Sequence, residues 1–229
     1  MLNSYSHSFI RNDCTNAPPH LEKHVYESLS HFTEAELNGV GLIWLVNDLP
    51  DDADEEYKKV IRMGGQINGF YYFKTEEEPP FILLFINSIY RSLRLFPFIH
   101  YTVIPSLCIS RTLAHEIGHH LIAIRGYVFN QGEDTSDQEV LANQYARNHL
   151  EKMRSRFRYR FGFWLMKQLA ELHYSAGVVY STKQKYCEAA DCLYKAWDLN
   201  PKLENVAEWY HLAREKCHSN KESSTNNTG

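Results

Sequence analysis

The sequence predicts an α+β fold, on three observations. Short apolar runs rich in aromatic and β-branched residues fall before about residue 90, each bounded by polar, Gly or Pro residues, as buried strands require. Helical spacing of apolar residues dominates from about Ser106 onward. The order, a small mixed sheet followed by helices, is that of an α+β chain.

Taken in order, residues 1–19 read as an irregular N-terminus ending in Pro18-Pro19. Leu21, Val25, Leu29 and Phe32 recur at helical spacing, so His20 to Phe32 is a predicted helix. The runs "GVGLIWLVND" (39–48), "INGFYYF" (67–73) and "FILLFINS" (81–88) are predicted strands. The acidic "DLPDDADEE" between the first two is a solvated loop. A helix from Ser106 or Ser110 stops at Gly126, a natural C-terminal glycine. The polar last residues read as disordered. The expected organisation is an irregular 1–19, a main domain over 20–160, a helical extension over 161–218 and a disordered tail over 219–229.

The chain has 229 residues, 44% of them hydrophobic, enough for a packed core. A net charge of −4 gives no general pull toward nucleic acid or anionic lipid, and neither is expected as a partner. The apolar stretch from Phe81 to Ile109 is broken by Arg91, Arg94, Pro97 and Pro105, so it falls short of the roughly 18 apolar residues of a membrane span. Five scattered cysteines with no C-x-x-C pair, behind no secretory leader, read as reduced thiols and predict a cytoplasmic protein.

The segment "LAHEIGHHLI" (113–122) contains His-Glu-x-x-His, which chance alone would produce in about one such chain in twenty. Its surroundings therefore decide. At about 100° per residue, Leu113, Ile117, Leu121 and Ile124 fall within roughly 80° of one another. His115 and His119 lie on nearly the opposite side, one turn apart, with Glu116 beside them. One face packs a core while two imidazoles converge on a cation. His120 projects toward the apolar side and reads as packed or hydrogen-bonded. Cys108, about 10 Å along the same helix, is out of ligating reach.

A catalytic zinc site needs a third protein ligand and an open position. Glu139, Glu133 and Asp134 are the candidates, and Glu139 has a second reading, since Ser136-Asp137-Gln138-Glu139 is also a capping box. "HEIGHH" followed after about twenty residues by "EVLANQYARNHL" resembles the ImmA/IrrE family of zinc metallopeptidases. Glu139, Ala142, Asn143, Tyr145, Ala146 and Leu150 stand at the matching positions of its second helix, with Tyr in place of Phe. The likeness spans roughly residues 21–151. It implies a zincin-like domain, Zn2+ as cofactor and Glu139 as third ligand. The Leu-hydrophobic-Pro that often closes the family's second motif is missing here, and no DNA-binding helix-turn-helix is apparent.

On this reading zinc is held by His115, His119 and Glu139, and Glu116, too close along the helix to ligate beside them, is the general base. Asn143, one turn past Glu139, is placed to accept the outward N–H of a ligating histidine. Tyr145, His149, His100 and Tyr101 are candidate donors to the transition state.

In "HYSAGVVYSTKQKYCEAADCLYKAWDLNP" (173–201), Gly177, Tyr180, Ala189, Leu193, Ala196 and Pro201 stand at the spacing of a tetratricopeptide repeat, which the segment resembles. His173 and Ala176 replace the larger residues usual there, and no second copy exists. Residues 203–217 look like the solvating helix that follows such repeats. "RSRFRYRF" (154–161) alternates arginine with aromatics, but helical spacing scatters the arginines, which reads as solvated surface.

The expected function is a zinc-dependent endopeptidase acting on a narrow set of intracellular protein substrates, with residues 170–217 as a candidate partner surface. The alternative is a non-catalytic interaction protein that binds through its helical pair, with a structural metal or none. Hydrolysis of a non-peptide amide is a third.

Overall fold

A computed structural model describes residues 9–48, 67–73, 79–93, 101–124 and 135–225. The acidic run after Asp48, His100, Gly126, Glu133 and Asp134 lie outside the described residues. The chain divides into two compact units, Met1–Arg160 and Phe161–Gly229.

The first unit is mixed α/β. Its strands are β1 (Ile10–Asn12), β2 (Leu42–Val46), β3 (Gly69–Tyr72) and β4 (Phe81–Phe85). They form one sheet in the order β1-β2-β4-β3, with β1, β2 and β4 parallel and β3 antiparallel on β4. Helices α1 (Leu21–Leu29) and α2 (Glu34–Leu37) fall between the parallel strands β1 and β2, which need such a crossover. After β4 come α3 (Ile86–Ile89), a 3₁₀ turn (Arg91–Leu93), α4 (Ile104–Ile124) and α5 (Thr135–Arg154).

Strand alternation builds the core. Ile43, Leu45, Tyr71, Ile82 and Leu84 share the face turned to α4 and are all buried. Leu83 and Phe85, on the other face of β4, are buried as well, as expected for a central strand that is apolar throughout. The α1–α4 contact carries polar bonds: Ser106 Oγ lies 2.8 Å from Glu27 Oε2, to which it donates, and 2.9 Å from His24 Nδ1.

Several sequence expectations need correction. The N-terminal 19 residues are not wholly irregular, because Ile10–Asn12 pairs with β2 as an edge strand. The third predicted strand stops at Phe85, and Ile86–Ile89 turns into α3. Helix α4 starts at Ile104, where Thr102 Oγ1 accepts the Ile104 N–H and Pro105 sits in the first turn, where its missing N–H costs nothing. Nor does α4 follow a simple two-sided pattern. It lies among the sheet, α1 and α5, so it is buried nearly all round, whereas Ile124 in its last turn is 55% exposed.

The second unit contains most of α6 (Phe157–Thr182), with α7 (Tyr186–Leu199) and α8 (Val206–Thr225). Ala189, Leu193, Ala196, Val206, Tyr210 and Ala213 form its core. Gly177 lies against Leu193 so closely that a β-carbon would stand 2.6 Å from Leu193 Cγ. Small residues thus allow the approach that the repeat-like spacing predicts.

Two expectations fail in this unit. The tail is not disordered from residue 219, since α8 continues to Thr225, with Ser219 Oγ donating to the Glu215 carbonyl. Nor are all five cysteines reduced: Cys187 and Cys217 form a disulfide with Cα atoms 4.9 Å apart. They are 30 residues apart, with Lys202 in the α7–α8 connection midway between them, so the helical hairpin brings them level. Cys14, Cys108 and Cys192 are free. The thiol argument for a reducing compartment therefore lapses. Among the described residues, no helix is long and apolar enough to cross a membrane.

Candidate metal centre

Helix α4 presents His115 and His119 one turn apart, and α5 brings Glu139 to meet them. His115 Nε2 and His119 Nε2 are 3.2 Å apart. Glu139 places one carboxylate oxygen 3.2 Å from His119 Nε2 and the other 3.4 Å from His115 Nε2. Ligand atoms from all three residues lie within 4.8 Å of one another, and the group could hold a metal ion. Two imidazole nitrogens and a carboxylate at this spacing are a donor set that one divalent ion could share. The helix pair can achieve this because Gly118, between the two histidines, lets α5 in against it at Ala142.

The charges are mutually adjusted. Bonds from His115 and His119 hold the Glu139 carboxyl far below the usual carboxylate range, against its partial burial. Burial alone would lower His115. Its bond to Glu139, the charges of Glu116 and Glu139, and a hydrogen bond to Asn143 outweigh that and leave it raised. Asn143 thus sits beside a prospective ligand.

Glu116 points differently. It is 5% exposed, and burial pushes its carboxyl up to about 7 despite the opposing charges of His115 and His119. It also accepts the backbone N–H of Tyr71 in β3. Gly69 permits this proximity, since a β-carbon there would stand 2.8 Å from Thr112 Cγ2 and 3.0 Å from Glu116 Oε1. Glu116 is thus a buried carboxyl whose charge interacts with the histidine pair, and it stands apart from the three residues that could hold an ion.

Compared with known proteins, the chain matches no family model, no curated protein and no solved structure. What the site can do therefore rests on its own residues.

The two donors expected on α5 are engaged elsewhere. Tyr145 donates its hydroxyl to Glu36 of α2 at 2.6 Å. His149 is buried and stacked on Phe32 at 4.0 Å, with burial lowering it to about 4. They lie six and ten residues beyond Glu139 on the helix, about 9 and 15 Å along its axis, which explains why they serve the packing of α5 instead. Tyr101 is 74% exposed and meets His20 edge-on. Cys108 is buried and outside the cluster. His120 is buried and hydrogen-bonded. Sequence reasoning missed Gly69 and Tyr71, for which the only signal was the glycine opening "GFYYF".

Proposed function

We propose that the chain is a zinc-dependent endopeptidase of the zincin-like kind, acting on protein or peptide substrates. One observation carries the reading: two imidazoles and a carboxylate converge at zinc-like spacing, and a separate buried carboxylate, Glu116, stands beside them unused as a ligand. A purely structural metal needs no such base. The resemblance of the two helices to ImmA/IrrE metallopeptidases supports the same conclusion.

His115 and His119, through their Nε2 lone pairs, and Glu139 would hold the ion. When bound, zinc acidifies water and polarises a carbonyl. Glu116 takes the proton of the attacking water on a carboxylate oxygen and delivers it to the leaving amine nitrogen. Its burial serves this role, because desolvation makes the carboxylate a stronger proton acceptor. Asn143, bonded to His115, fixes the orientation of that ring. Exposed Leu172, Val179 and Leu212 are apolar side chains that residues 170–217 would offer to a protein partner. The same surface would serve the rival, an interaction protein without catalysis.

The decisive comparison is Glu116→Gln against wild type. Metal content and folding should hold, while cleavage falls by at least the roughly 10²–10⁴-fold that general-base assistance supplies. With both forms expressed in the native cell, peptides cleaved only by wild type and retained by the variant support the enzyme. Identical fragments and identical bound partners leave the interaction protein.

A further inference from the structure

His120 directly follows the second prospective ligand, yet its ring turns away from the ligand cluster and is fully buried. Its Nε2 lies 2.9 Å from the Asn38 carbonyl oxygen, and its Nδ1 lies 3.0 Å from the Tyr71 hydroxyl. A carbonyl only accepts, so Nε2 carries the proton and donates. A ring that carries its one proton on Nε2 has its lone pair on Nδ1, where it accepts the Tyr71 hydroxyl. Gly39, at φ +91°, closes the other side of the pocket, and a β-carbon there would stand 3.5 Å from His120 Cε1.

Tyr71 belongs to β3, last in the sheet order. The Phe85 N–H donates to the Asn68 carbonyl, and with the antiparallel register this puts the Tyr71 N–H on the side away from β4. That outward N–H is the one Glu116 accepts. One residue of β3 therefore meets α4 twice, by its side chain at His120 and by its backbone at Glu116, four residues earlier on the same helix.

We propose that His120 is the positioning residue of this site: through the Tyr71 hydroxyl it fixes β3 where the Tyr71 N–H holds the Glu116 carboxylate in place beside the histidine pair. The proposal rests on reading Glu116 as the general base. It assigns to His120 no contact with metal or substrate.

Residue-resolved amide hydrogen exchange on the full chain tests it without requiring a substrate. In wild type the residue-71 amide, though outside the β3–β4 pairing, should be protected. In His120→Leu and in Tyr71→Phe that amide should exchange about fivefold to tenfold faster, the worth of one lost hydrogen bond. The Phe70 and Tyr72 amides, which face β4, should stay as protected as before. His120→Gln offers an amide N–H to Asn38 and a carbonyl to Tyr71, so it should restore protection. An unchanged residue-71 amide overturns the proposal, and so does a uniform loss across β3, which would mark a merely structural role. Failure of the Gln rescue would assign the effect to ring packing and overturn it too. Should His120→Leu not fold, Tyr71→Phe decides alone. Zinc content and the Glu116→Gln comparison, run separately, report whether the general-base reading itself fails.

Discussion

Gly118 of α4 and Ala142 of α5 meet so closely that a β-carbon on the glycine would stand 2.8 Å from the Ala142 Cα. The obstacle is backbone, which cannot rotate aside. Helix propensity alone would favour Gly118→Ala by about 1 kcal/mol. Overpacking against a backbone atom costs about 1–3 kcal/mol and should win. Glu139 lies three residues before Ala142, so the same displacement should weaken zinc binding. Thermal unfolding and a zinc titration check both effects, and a variant as stable and as tight as wild type would refute the contact.

Ligand removal should be selective. His115→Ala, His119→Ala and Glu139→Ala should each lose most bound zinc, whereas Cys108→Ala should keep it. Metal analysis of the purified proteins decides. Full retention in Glu139→Ala would move the third-ligand role to another carboxylate.

His149 predicts an acid-dependent loss of stability. Its folded value, about 4, lies below the ordinary 6.5, so between those limits the unfolded chain binds a proton that the folded chain refuses. Stability is intact above pH 6.5 and falls as the pH drops toward 4. The loss is about 2 kcal/mol by pH 5. The groups that act on it are Glu36, which favours the charged form, and His31, Lys152 and Arg156, which oppose it. His149→Phe keeps an aromatic ring against Phe32 and should flatten this part of the profile. Urea midpoints at pH 7.5 and 5.0 for the two proteins give the comparison, and parallel losses would count against it.

The Cys187–Cys217 bond closes a 30-residue span, for which chain entropy predicts about 3–4 kcal/mol of stabilisation. Cys217→Ser should therefore unfold the second unit at lower temperature than wild type under oxidising conditions. Under reducing conditions the two should converge. Circular dichroism of the full chain follows the helices.

Local periodicity and close spacing made much of this legible. His115, Glu116 and His119 were readable because the helix repeat itself sets their geometry, and Gly177 because a small residue has an evident use between helices. Contacts between distant segments were not readable. Nothing along the chain announces that Tyr71 meets both Glu116 and His120, or that Tyr145 finds Glu36 across 109 residues. The Ile10–Asn12 edge strand was too short to show alternation. The cysteine pair leaves no local mark, because a hairpin pairs residues equidistant from its turn and not neighbours in sequence.

The two ends of α5 are anchored by different means. Its C-terminal half is fixed by the Phe32–His149 stack and the Tyr145–Glu36 bond, neither of which involves an ion. Its N-terminal turns carry Glu139, whose partners are histidines on α4. An ion bridging these residues is therefore a clasp on one end of a helix already fastened at the other. At a free concentration one hundred times its dissociation constant it adds about 2.7 kcal/mol. Withdrawing the metal would remove that clasp while the Gly118–Ala142 contact and the C-terminal anchors keep α5 in place, so scarcity of the ion would be felt first at the turn that carries Glu139.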